Sequence, residues 1–218
     1  MYKLLINLKA YKEGSGTNIL KFAQIVNELS VEAKKKNVDL ILCVNSLDLR
    51  SLLGTGVHVY AQHIDAYDYG AHTGFLVPEL VKSSGVLGSL VNHSEHRIDF
   101  DLVGSIVSAS KKVGLEMCVC VKDDNEVKKV LKYNPDFIAV EPSELIGGDI
   151  SISTARPELI SNSVKVSKGI PILVGAGVKN AQDVKKAVEL GAKGILVASG
   201  VVKANDPKAA ILDLISGF

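Results

Sequence analysis

The chain has 218 residues, with 25 Lys and Arg against 24 Asp and Glu and a formal net charge of +1. This balance offers no electrostatic footprint for nucleic acid or an acidic membrane, and no apolar run approaches the roughly 20 residues of a membrane span. A hydrophobic content of 47% with only 5% aromatic residues and no Trp points to a Val/Ile/Leu/Ala core, as buried parallel sheets have.

Leu4 to Leu8 reads as the first strand, ending in Asn7-Leu8-Lys9. After the Gly14/Gly16 turn, Thr17 is expected to cap a helix running to about Asn37. Leu40 to Val44 is a second apolar strand, and Ser46 can cap a short helix that ends near Gly54. Val57 to Ala61 is the third strand. A long irregular segment follows, Gln62 to Val77, with His63, His72, Thr73 and Gly74 in it. Pro78 suits a first helical position, and Gly85 closes that helix. Val86 to Val91 is the fourth strand, followed by Asn92-His93-Ser94-Glu95-His96-Arg97.

Asp99 to Val113 reads as a helix, Leu115 to Val121 as the fifth strand, and Asp123 or Asp124 as the cap of a helix to about Lys132. Phe137 to Val140 is the sixth strand. Glu141 stands at its end, held stiffly by Pro142, which cannot donate to a sheet ladder. From Pro142 to Thr154 there is no period. A connection that long, with hinge chemistry at Gly147-Gly148, suggests a functional lid. Arg156 to Ser167 is helical, and Ile172 to Val174 is the seventh strand, closing on Gly175-Ala176-Gly177. Asn180 caps a helix through Glu189. Gly194 to Val197 is the eighth strand, leading into Ala198-Ser199-Gly200, and Asp206-Pro207 opens a last helix.

Eight strand-plus-helix units without a hairpin signal imply an α/β fold with a closed (β/α)8 barrel. An open doubly wound sheet is the alternative. No linker divides the chain, so residues 1–218 are expected to form one domain. The strand runs start at once, without a signal-peptide pattern. Cys43, Cys118 and Cys120 lie in apolar runs without metal-ligand spacing. Both features fit a cytoplasmic protein whose thiols are packed as small hydrophobes. No metal motif and no Ser-centred elbow occurs, so neither a metal nor a cofactor is expected.

In a barrel, every strand's C-terminal end opens onto one face. Asn7, Lys9, His93, Glu95 and Glu141 would gather there. The small turns after strands seven and eight have room for backbone N–H groups to approach an oxyanion. Arg97 is expected to pair with Glu95 and order its loop. His58, His63, His72 and His96 are assigned no chemistry.

Asn7-x-Lys9, His93-Ser94-Glu95-x-Arg97, Glu141-Pro142 before Ile146-Gly147, and the two late glycine turns resemble the triosephosphate isomerase family, in particular its shorter, archaeal-type members. The likeness covers nearly the whole chain. It implies interconversion of dihydroxyacetone phosphate and glyceraldehyde 3-phosphate, a step of glycolysis and gluconeogenesis. Glu141 would be the base, and His93 the neutral electrophile beside a helix N-terminus. Lys9 would supply positive charge, with Asn7 orienting it and Glu95 in support. Backbone near Ile146, Gly147, Gly177, Ala198 and Ser199 would hold the phosphate. Where the family's lid commonly reads Ile-Gly-Thr-Gly, this chain has Ile146-Gly147-Gly148-Asp149, which puts the second hinge in doubt. The segment 62–77 resembles the family's third loop, which reaches into a neighbouring subunit. It therefore implies a homodimer or homotetramer.

Overall fold

The computed structural model describes residues 1–145 and 151–218. Its eight strands form a closed barrel in chain order. They are β1 Tyr2–Asn7, β2 Val38–Val44, β3 His58–Ala61, β4 Gly88–Val91, β5 Glu116–Val121, β6 Phe137–Val140, β7 Ile172–Val174 and β8 Gly194–Val197. Every neighbouring pair is parallel, and β1 closes on β8 through Lys3↔Gly194 to Ile6↔Val197. The open doubly wound alternative is therefore excluded.

The helices are α1 Ile19–Lys35, α2 Pro78–Ser83, α3 Phe100–Lys112, α4 Asp124–Val130, α5 Ile152–Ala155, α6 Pro157–Val166, α7 Ala181–Glu189, α8 Ser199–Val202 and α9 Pro207–Ser216. In α1 the buried residues Ile19, Phe22, Ala23, Val26, Leu29 and Ala33 recur at three- and four-residue spacing, so one face packs on the sheet. The predicted caps at Asp123, Asn180 and Asp206 each accept a backbone N–H from three residues on, at 2.8–3.0 Å.

Other boundaries differ from the sequence reading. Thr17 caps nothing, because 3-10 turns occupy Lys12–Gly14 and Gly16–Asn18, and α1 starts at Ile19. The stretch after Ser46 forms only a 3-10 turn, Leu49–Leu52. The one-turn helices α5 and α8 were not expected, since four residues are too few to display a helical period.

The strands bury both faces. Outward residues such as Ile6, Val119 and Val140 join the layer between sheet and helices. Inward residues, including Leu5, Ile41, Leu90, Ala139 and Leu173, fill the barrel together with the three thiols. Beneath them a charged floor joins the N-terminal ends of four strands. Lys3 Nζ lies 2.9 Å from Asp39 Oδ2 and 3.5 Å from Glu116 Oε2. Tyr60 donates its hydroxyl to the same Glu116 oxygen, and His58 Nδ1 is 2.6 Å from Asp39 Oδ1. Paired charges of this kind can sit in a barrel only because each has its partner.

Closure demands an absent side chain at Gly194. A Cβ there would stand 2.1 Å from the Lys3 carbonyl oxygen and 2.8 Å from Leu173 Cδ2. Gly194→Ala should therefore destabilise the protein by about 1–3 kcal/mol, the usual cost of overpacking. Urea unfolding measures this, and an unchanged midpoint would contradict the packing argument.

Candidate functional site

Strand ends that are far apart in sequence meet at the C-terminal rim. Asn7, Lys9, His93, Glu141, Gly177, Ala198 and Ser199 line one cleft there, together with Tyr11, Gly175 and Lys179. Glu95 lines the adjoining recess, which also contains Lys9 and His93. Ile146, Gly147, Gly148 and Asp149 lie outside the described residues.

Glu141 continues β6, its amide donating to the Val121 carbonyl at 2.8 Å, and it is only 4% exposed. Among the described residues, no group donates to its Oε2. Room for the carboxylate comes from the neighbouring strand. A Cβ on Gly175 would lie 2.5 Å from Glu141 Cγ and 2.8 Å from Oε1. The sequence reading gave Gly175 to an anion turn, but its nearer effect is to admit this carboxylate. Below lies Cys120, whose thiol pKa is pushed well up by burial and then by the Glu141 charge.

His93 Nε2 faces Glu141 Oε1 at 3.6 Å, too far for a hydrogen bond. The other ring nitrogen, Nδ1, accepts the amide of Glu95 at 3.2 Å. A nitrogen that accepts an N–H carries no proton, so the neutral ring holds its hydrogen on Nε2, toward the cleft. The helix read from Asp99 is present as α3, Phe100–Lys112, but a turn separates its start from His93. Asn92 adopts a left-handed φ of 62° and ties down that turn. Its Oδ1 accepts Ile98 N–H at 3.1 Å, while its Nδ2 donates to the Cys120 carbonyl at 2.8 Å. An amide inside that turn, rather than a helix end, fixes the ring.

Lys9 also has left-handed backbone, φ 48°, a costly conformation for a residue with a Cβ. Asn7 Oδ1 accepts the Lys9 amide at 3.0 Å. Gln62 Nε2 donates to Asn7 Oδ1, the Lys9 carbonyl and the Cys43 carbonyl, each at 3.1 Å. Gln62 was missed as a site residue. Its signal was a lone polar side chain directly after an apolar strand. The Lys9 ammonium, largely buried, is 2.8 Å from Glu95 Oε1.

With Glu95 engaged there, the expected Arg97–Glu95 pair does not form. Arg97 Nη2 instead contacts both Glu126 oxygens at 2.6 and 2.8 Å, and the buried Glu126 also accepts the Lys122 amide.

Opposite the ionisable groups, Gly177 turns with φ 69°, and α8 opens at Ser199 with no side-chain cap at Ala198. The first N–H groups of a helix have no acceptor within it, so this corner presents donors to an anion. No group of three or more His, Cys, Asp or Glu side chains among the described residues is arranged to hold a metal. No described helix is long and apolar enough to cross a membrane.

Comparison with known proteins agrees with this arrangement. The family model described as triosephosphate isomerase matches residues 3–217. The chain is 45% identical over 214 residues to the triosephosphate isomerase of Cenarchaeum symbiosum, covering 97% of this chain and 95% of that one. It is 43% identical to that of Thermoplasma volcanium, covering 99% and 100%, and 40% identical to that of Methanocaldococcus jannaschii, covering 97% and 98%. A barrel whose rim unites a buried carboxylate, a histidine and a lysine, matched from end to end in this way, belongs to the triosephosphate isomerase family.

Proposed function

We propose that Glu141, His93 and Lys9 carry the family's reaction, the interconversion of dihydroxyacetone phosphate and D-glyceraldehyde 3-phosphate. The observation that carries this assignment is the buried Glu141 carboxylate facing a histidine Nε2 whose other nitrogen is already occupied. Glu141 removes a proton from the carbon beside the carbonyl. The C–H electron pair becomes the C=C of an enediolate, and the carbonyl oxygen gains charge. The neutral His93 offers that oxygen its Nε2 hydrogen, and the Lys9 ammonium adds positive charge beside it. A proton then passes from the hydroxyl on the first carbon to the former carbonyl oxygen, relayed by His93 Nε2, and Glu141 returns its own proton to the neighbouring carbon as the first oxygen becomes the new carbonyl. Such a proton leaves at a useful rate only if preorganised donors meet the charge as it develops.

Asn7 keeps Lys9 in its strained backbone, and Glu95 holds the ammonium. Backbone N–H groups around Gly177, Ala198 and Ser199 bind the phosphate in this reading, and the small residues there let it come close. The reaction needs no metal or cofactor. The same reading treats residues 1–218 as one cytoplasmic domain.

Self-association is part of the proposal. The loop 62–77 is fastened at its base, where Leu76 N–H reaches Asp65 Oδ2 at 2.7 Å and Asp65 N–H reaches the Leu76 carbonyl at 3.0 Å. Tyr67 stacks on His72 and touches Phe75, each with ring centroids 4.5 Å apart. Tyr67, Tyr69 and Phe75 are nevertheless 39%, 64% and 45% exposed, an apolar tip suited to a second copy of the chain. A homodimer satisfies that loop, and a homotetramer would need a further surface. Sedimentation equilibrium should return an assembly larger than the monomer, and Tyr67→Ser with Phe75→Ser should shift it toward monomer.

Glu141→Gln should still bind inorganic phosphate while losing about 10²–10⁴-fold in turnover, the usual contribution of a general base. A variant that retained a tenth of the parent's turnover would remove Glu141 from that role. Gly175→Ala tests the carboxylate's position. Its new methyl group collides with Glu141, so kcat should fall by up to about 10²-fold, as misplacement by an ångström can cost. Unchanged kcat in a folded Gly175→Ala protein would show that the carboxylate has room to spare.

A further inference from the structure

The reaction as derived uses neither His63 nor His96, yet their rings meet. The centroids are 4.3 Å apart and the planes 34° from parallel, close enough for aromatic attraction. His63 belongs to the loop after β3, where its Nε2 lies 3.4 Å from Asp65 Oδ1. Asp65 is in turn clasped to Leu76 at the base of that loop. His96 closes the catalytic turn, its amide donating to the His93 carbonyl at 2.8 Å. Between them, Glu95 gives its amide to the His93 ring and its carboxylate to Lys9. The ring pair thus joins the anchored loop to the turn that orients both His93 and Lys9.

On the isomerase reading above, we propose that the tilted, touching rings of His63 and His96 are a positioning pair for the isomerisation, docking the turn 93–97 against the loop after β3. Glu95 is the middle residue of that turn and its side chain is 60% exposed. Its own packing therefore does little to hold it, and the ring contact beside it restricts where its backbone can go. Neither histidine touches the reacting atoms in this arrangement. Their effect passes through Glu95.

The pair is sensitive to acid. Burial, and next the charge of His96, lower the His63 pKa below its ordinary value, while Asp65 acts in the opposite sense. The other charged or titratable groups lining the recess are Lys9, His93 and Glu95. Because the folded value lies below the unfolded one, the unfolded chain takes the proton more readily. The stability held by the neutral pair is complete above the unfolded value and is lost as pH falls through the folded one. Protonating both rings would put like charges 4.3 Å apart.

The test compares steady-state kinetics of the parent, His96→Ala, His96→Phe and His63→Phe between about pH 8 and pH 5.5, across the ordinary histidine range. Inhibition by inorganic phosphate is measured in each. His96→Ala should lower kcat by about 3- to 10-fold, the scale one ring contact supports, and leave phosphate inhibition unchanged. His96→Phe and His63→Phe keep a ring in place and should restore kcat near pH 8. Their kcat relative to the parent should then rise by up to about the same 3- to 10-fold toward pH 5.5, as the parent's His63 takes its proton. Parental kcat in His96→Ala, equal losses in His96→Ala and His96→Phe, or a ratio independent of pH would each overturn the proposal. A parent enzyme that did not isomerise triose phosphate would instead overturn the functional reading, and that is seen in the first measurement.

Discussion

The pairing of β1 with β8 is the constraint on which the site depends. Asn7 and Lys9 leave the first strand, while Ala198 and Ser199 leave the eighth. Only closure of the sheet sets them across one cleft. Parallel pairing in every gap then sends all eight C-terminal ends to the same rim, so each strand delivers its next residues there without a special turn. The entropy of joining the two ends of a long chain grows only logarithmically with length, whereas a misfit between strands is paid locally. That is why one glycine, Gly194, matters more to closure than the length of chain between β1 and β8.

At the rim, burial decides how each polar group behaves. Asn92, Asn7 and Gln62 use their amides on backbone carbonyls and N–H groups, which fixes loop shape where no regular ladder continues. Glu126 satisfies itself with Arg97 and the Lys122 amide. Glu141 is the contrast. It is as buried as these groups, yet no described residue donates to its Oε2. Leaving a buried acceptor unsatisfied typically costs about 1–3 kcal/mol, and such exceptions concentrate where chemistry needs a free lone pair. A carboxylate fully dressed with hydrogen bonds would be better for stability and worse as a base.

The barrel and its rim residues were legible in the sequence because they rest on local signals. Short apolar runs give strands, and a polar residue just past each run gives the rim, as with Asn7, His93 and Glu141. Proline after Glu141 marked that strand's end without any tertiary information. What stayed hidden depends on partners distant in sequence. The acceptors of Gln62 lie 19 to 55 positions away, and Arg97 found Glu126, 29 positions on, rather than its close neighbour Glu95. The turn that separates His93 from α3 went unread, because a left-handed Asn92 and its clasp on Ile98 leave no mark in composition. Residues 146–150, where the motif departs from the family pattern, are outside the described residues, so the lid expectation stays one of sequence.

Between floor and rim the barrel is filled by apolar side chains and three thiols. Burial pushes the pKa of Cys43, Cys118 and Cys120 upward, and the negative charge of Glu141 adds to the shift in each. A thiolate there would be a second anion beside the base, so burial and the Glu141 charge keep the cysteines protonated. Neutral thiols are thus small fillers for a layer crowded by Tyr60 and Leu90. They also keep an apolar, uncharged layer between the ion pairs of Lys3, Asp39 and Glu116 below and those of Lys9 and Glu95 above. Each cluster then has to balance its own charges. The floor can serve closure of the strands, and the rim can keep one carboxylate oxygen without a donor, because neither relies on charge supplied by the other.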